Sequence, residues 1–162
     1  MAGVANGTGN GADGDVRARL QKLQAAFLET LDFPQEYLTP AYRHGVTLYE
    51  HGRYDEAAQV FRFLAACDCS NPRIWKALGA AHKMSGRFDE AVAAFGIAVN
   101  TGSLDPWVPV HAAECLMHLE RYPEAIAAMK QAALVADVSE DGPEVHRRLG
   151  ALIEGVERSL AA

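Results

Sequence analysis

The chain has 162 residues, 49% of them hydrophobic and 22% charged, the balance of a globular domain long enough to bury a continuous core. Fifteen basic against twenty-one acidic residues leave a net charge of −6 with no Lys/Arg cluster, which argues against nucleic acid or an anionic membrane as partner. Three cysteines (Cys67, Cys69 and Cys115) are too few and too uneven for a disulfide framework, and no stretch approaches the roughly 18 apolar residues of a membrane span.

Residues 1–14 hold five glycines and neither a basic stretch nor an apolar run, so a flexible tail without a secretory signal is expected there. From Asp15 the pattern changes: Val16, Leu20, Leu23, Phe27 and Leu31 make one helical stripe over residues 15–33, with Asp15 as N-cap and Pro34 closing it. A repeat follows. Gly52-Arg53-Tyr54-Asp55-Glu56-Ala57 returns as Gly86-Arg87-Phe88-Asp89-Glu90-Ala91 and, more loosely, as Glu120-Arg121-Tyr122-Pro123-Glu124-Ala125, 34 residues apart each time.

A fixed 34-residue period is that of the tetratricopeptide repeat, a helix-turn-helix that stacks on copies of itself. The chain therefore reads as all-α: three repeats in a right-handed superhelix over residues 40–136 (about 40–71, 72–105 and 106–136), then a capping helix over 142–160. Helices are expected at about 40–51 and 54–67, 73–84 and 88–100, 107–119 and 122–135, and finally about 143–160. Pro72 and Pro106 open helices, and Gly52 and Gly86 sit in the turns. Small residues recur where paired helices must cross: Gly45, Gly79 and Ala113 on the first helices, Ala57, Ala91 and Ala125 on the second. Phe61, Phe95 and Met129 keep the same period and supply bulk between repeats.

The first helix of each repeat lines the inner surface of such a superhelix. Helical spacing puts Thr39, Tyr42, Val46 and Tyr49 there in repeat one, Arg73, Lys76, Ala80 and Lys83 in repeat two, and Trp107, Val110, Glu114 and His118 in repeat three. Exposed aromatics on a concave face call for a partner to cover them, unless Tyr42 and Tyr49 pack on the N-terminal helix. The basic middle residues either meet an acidic segment or are solvated. His111, Cys115 and His118 have a spacing that could hold zinc, but Cys115 reads better as a small core residue facing its own hairpin partner, so no metal or other cofactor is assigned. With no nucleophile–base pair, phosphate loop or paired carboxylates, the chain does not read as an enzyme.

Pro109-Val110-His111-Ala112-Ala113-Glu114-Cys115-Leu116 resembles the third-repeat helix of the class II type III secretion chaperones, the LcrH/SycD/IpgC group. Leu78-Gly79-Ala80 with Gly86 to Ala91 resembles their second repeat, and Tyr42 with Tyr49 the tyrosine pair of their first; the likeness spans about residues 16–155. It implies a chaperone of the bacterial cytoplasm that binds an extended N-terminal segment of the hydrophobic translocator proteins in its groove and keeps them soluble and apart. Carried over by position, Tyr42, Val46 and Tyr49 line the client pockets, and the inner-face residues Lys76, Ala80, Lys83, Trp107, Val110, Glu114 and His118 complete the expected client-binding set. The resemblance also implies a homodimer through Leu20, Leu23 and Phe27, and some members co-activate an AraC-type transcription factor. The alternative is a generic tetratricopeptide adaptor for another peptide. The variety that grips acidic C-termini needs a basic clamp where this chain has Tyr42, Val46, Ala77, Trp107 and His111.

Overall fold

The computed structural model describes residues 35–161 and, ahead of them, Arg19, Lys22, Leu23 and Ala26, which are helical. The rest of the expected N-terminal helix, Leu20 and Phe27 included, lies outside the described residues. A 3-10 turn over Gln35–Tyr37 leads into seven α-helices, and the described residues contain no strand. They are α1 (Leu38–Glu50), α2 (Tyr54–Cys67), α3 (Pro72–Met84), α4 (Phe88–Asn100), α5 (Trp107–His118), α6 (Tyr122–Ala136) and α7 (Gly142–Ala161). No described helix is long and apolar enough to cross a membrane.

Local chemistry explains where these helices start and stop. Asn71 caps α3 by accepting the Arg73 N–H at 3.1 Å, and Pro72 follows at the first helical position, where no N–H is needed. Helix α1 starts two residues ahead of the expected Pro40, because a proline within the first turn forfeits no intrahelical bond. The hexapeptide closes one helix and opens the next. Gly52 and Gly86 take φ of 75° and 73°, and Glu120, the substitute for glycine in the third copy, takes 58°. In each copy two backbone bonds wrap the C-terminus, as when Gly52 N–H reaches the Tyr49 carbonyl and Arg53 N–H the Leu48 carbonyl. The arginine carbonyl then accepts the N–H of the alanine four residues on, starting the second helix.

Each helix packs on the next, and the first helices of successive repeats also touch: α1 on α3, α3 on α5, and α5 on α7. The second helices α2, α4 and α6 do not touch one another. An inner row in contact and an outer row splayed apart bend the stack, concave along α1, α3, α5 and α7. The core runs continuously through it, with Phe61 and Leu64 of α2 against Ile74 and Leu78 of α3, and Phe95 of α4 with Val108 and Cys115 of α5. Leu116, Met129, Leu149 and Val156 close the end against α7. The large rings face their own hairpin as well as the next repeat: a Cβ built on Gly45 would come within 2.7 Å of the Phe61 ring, and one on Gly79 within 2.7 Å of the Phe95 ring.

Candidate functional site

Three turns of α1 carry Tyr42, Val46 and Tyr49 on the concave side, all partly exposed. Opposite them on α3 stand Lys76, Ala77 and Ala80, and between the two helices lies a cavity of about 200 Å³. Phe61 reaches its floor from α2, past the gap left by Gly45. Tyr42 leans on Phe61 with ring centroids 5.5 Å apart, and Tyr49 meets Tyr54 edge-on at 5.2 Å. These contacts fix both rings as walls rather than letting them collapse into the gap. The Arg73 guanidinium lies 5.8 Å from the Tyr42 ring centroid, and Lys76 Nζ donates to Asp105 Oδ2 at 2.8 Å. The lysine charge is thus drawn to the rim while its methylene stem lines the wall. Burial, and to a lesser extent Tyr54, raises the Tyr49 hydroxyl pKa, so the wall stays neutral at physiological pH. Thr39 is exposed and belongs to a neighbouring cleft with Leu38 and Arg43.

The other expected inner-face residues lie apart from this pocket. Glu114 of α5 accepts hydrogen bonds from Lys83 of α3 and from Arg148 of α7, and its Oε2 is 3.2 Å from His111 Nδ1. Burial alone would push the Glu114 carboxyl up. The bonds from His111, Lys83 and Arg148 outweigh it and hold the group well below the usual carboxylate range. The basic middle face is therefore neither spare nor merely solvated: Arg73 lies over Tyr42, Lys76 pairs with Asp105 and Lys83 with Glu114. Asp105 and Arg148 went unnoticed in the sequence because they sit 29 residues from Lys76 and 34 from Glu114, off the inner-face stripes of the three repeats. Asp105 does carry a local signal, since its other oxygen accepts the Trp107 N–H at 2.9 Å just ahead of α5.

Val110 is a correction: it is fully buried, packed with Leu116, Met129 and Leu149, because α7 covers the side of α5 that the helical count placed in the groove. Trp107 is half-buried with its ring 6.1 Å from His111, and His118 is exposed and stacks on Phe88 at 4.5 Å. His111, Cys115 and His118 consequently turn to three different neighbours. Cys115 is buried against Ala91, Phe95 and Ala98 of the preceding α4, not against its own hairpin partner as the spacing suggests. Burial pushes its thiol up to about 11. Of the expected dimer residues only Leu23 is described, and it is 67% exposed.

The geometry can be set beside known proteins. A tetratricopeptide-repeat family model matches residues 42–106. The low calcium response locus protein H of Yersinia pestis is 28% identical over 127 residues, covering 78% of this chain and 75% of that protein. A type III secretion complex from Aeromonas hydrophila superposes with a TM-score of 0.78 at 27% identity, over 91% of this chain and 98% of that one. The Yersinia enterocolitica type III secretion chaperone SycD, solved with a peptide of the translocator YopD, superposes with a TM-score of 0.72 at 25% identity, over 78% and 96%. The chain is similar in sequence and fold to the class II type III secretion chaperones. In this chain the motif that resembles the family, His111 to Cys115, lies partly in the core and partly in the Glu114 network, whereas the open pocket belongs to α1 and α3.

Proposed function

We propose that the chain is a chaperone that binds type III secretion translocator proteins in the bacterial cytoplasm through its concave face, holding them soluble and apart until export. Binding is its whole task; no catalytic step is assigned to it. The observation that carries this reading is the pocket of Tyr42, Val46, Tyr49, Phe61, Ala77 and Ala80, apolar and open to solvent. An extended segment that places one apolar side chain there removes that side chain from water, and a preformed groove keeps the ordering cost modest. SycD, solved with its translocator peptide, supplies the class of client. Co-expression with a candidate type III translocator tests it: the translocator turns from insoluble to soluble with the chaperone present. A translocator equally insoluble with and without it contradicts the reading.

The same proposal includes a homodimer built on Leu20, Leu23 and Phe27. Exposure of Leu23 supports it, since a large apolar side chain on a helix stripe is best covered by a second copy. Leu23→Glu is expected to halve the mass seen by sedimentation, and an unchanged mass removes that helix from the interface. The division into a glycine-rich tail over 1–14, the N-terminal helix, three repeats and a cap also stands as part of this proposal.

A further inference from the structure

At the far end of the concave face two cations share one carboxylate. Lys83 and Arg148 both end on Glu114, beside a cleft of about 380 Å³ walled by Met117, His118 and Leu152. The Glu114 side chain is only 11% exposed, while Arg148 remains 48% exposed. Arg148 spends two donors, from Nε and Nη2, on the single oxygen Oε1. A guanidinium carries five N–H donors, so more than half of them face no partner among the described residues. Counting Lys83, Arg148 and Glu114, the cleft has one positive charge in surplus, in a chain whose net charge is −6.

We infer that this cleft is a second subsite for the client, taking a carboxylate side chain from the same extended segment whose apolar side chain fills the Tyr42 pocket; it rests on the function proposed above. Partly desolvated, unspent guanidinium donors next to apolar walls bind a carboxylate better than bulk water allows. Lys76, Ala80 and Lys83 share one stripe of α3, so the two clefts flank the same helix on one face. One to two helix spacings, roughly 10–20 Å, separate them. Extended chain covers that in about three to six residues. The subsite therefore selects clients with an acidic residue three to six positions from the apolar anchor.

Fluorescein-labelled twelve-residue peptides with one Leu, and with either Glu or Gln placed three, four, five or six residues from it, provide the probe. The readout is the ratio of the two dissociation constants within each pair, which general loosening of the fold does not move. For at least one spacing the Glu peptide is expected to bind about fivefold more tightly than its Gln twin at low salt. Arg148→Met, or Lys83→Met if the first variant folds poorly, brings that ratio to one. Glu114→Gln increases it, because the competing carboxylate is gone; a purely structural tie gives no increase. A ratio of one at every spacing in the unaltered protein, or no increase in Glu114→Gln, overturns the subsite. Tyr42→Ala with Tyr49→Ala weakens both members of each pair equally. Insensitivity to that double change with the ratio intact overturns the pocket reading alone.

Discussion

Gly79 lacks a side chain because the Phe95 ring occupies the space where a Cβ would lie, and Gly45 stands in the same relation to Phe61. The third repeat reaches the same end differently, with Ala113 and Met129 at the matching positions, both buried. A flexible thioether can bend away from an added methyl where a flat ring cannot. Gly79→Ala is therefore expected to cost roughly 1–3 kcal/mol in chemical denaturation. Adding Phe95→Met should recover part of that loss, so that the two changes are non-additive in a double-mutant cycle. Full additivity would count against the coupling. Glu120 presents the opposite case, a side chain at φ 58° where the two other copies have glycine. Glu120→Gly should raise stability by about 0.5–1 kcal/mol, as relief of the left-handed strain exceeds the added chain entropy. A lower melting temperature for that variant contradicts the reading. Glycines at a fixed period were readable in the sequence as close approaches and turns, but which ring each one faced was not, because that depends on rotamers the period does not encode.

The recurring hexapeptide shows what an element can do beyond its own turn. Arg87 Nη1 reaches back 2.6 Å to Asp55 Oδ1 of the preceding copy, and Arg121 Nη1 lies 3.3 Å from Asp89 Oδ1. The third copy has Pro123 in place of that Asp, and the position 34 beyond Arg121 is Gly155, so no arginine follows that would need it. Exposed pairs of this kind contribute little each, about 0–1 kcal/mol, and their role is to set how one hairpin sits on the next. Helix starts and turns were legible because Gly, Pro and the arginine-led hexapeptide act within a few residues of themselves. The fate of Glu114 was not, since it depends on α7, an element outside the period. There the predicted test is one of pH. Because the folded-state Glu114 carboxyl is held below its ordinary value of 4.5, its contribution is fully present above that pH and falls as the pH drops beneath it. Glu114→Gln should lose about 1.5–3 kcal/mol at pH 7. The gap between variant and parent should narrow steadily below the ordinary carboxylate value; a gap that is constant with pH would mean that Glu114 is not the ion that ties α3, α5 and α7. Val110 was misplaced for the same reason, since α7 covers it.

Taken whole, the molecule is an acidic solenoid with one row of helices packed closely and the other splayed, and function follows from that curvature. The close row brings α1 and α3 near enough for Tyr42, Val46 and Tyr49 to share a cavity with Ala77 and Ala80. It also brings Lys83, Glu114 and Arg148 together from three helices at the other end. The first is the pocket proposed to take an apolar side chain of a client, and its tyrosines are held by Phe61 and Tyr54 and so form a wall that needs no rearrangement. The measurement that tests this most directly is affinity for a translocator's chaperone-binding segment in the Tyr42→Ala, Tyr49→Ala double variant, checked first for an unchanged helical circular dichroism spectrum. Loss of two aromatic walls from a binding pocket is worth about 2 kcal/mol, so binding should weaken roughly thirtyfold in the folded variant. Unchanged affinity in a folded double variant would contradict the assignment of the groove.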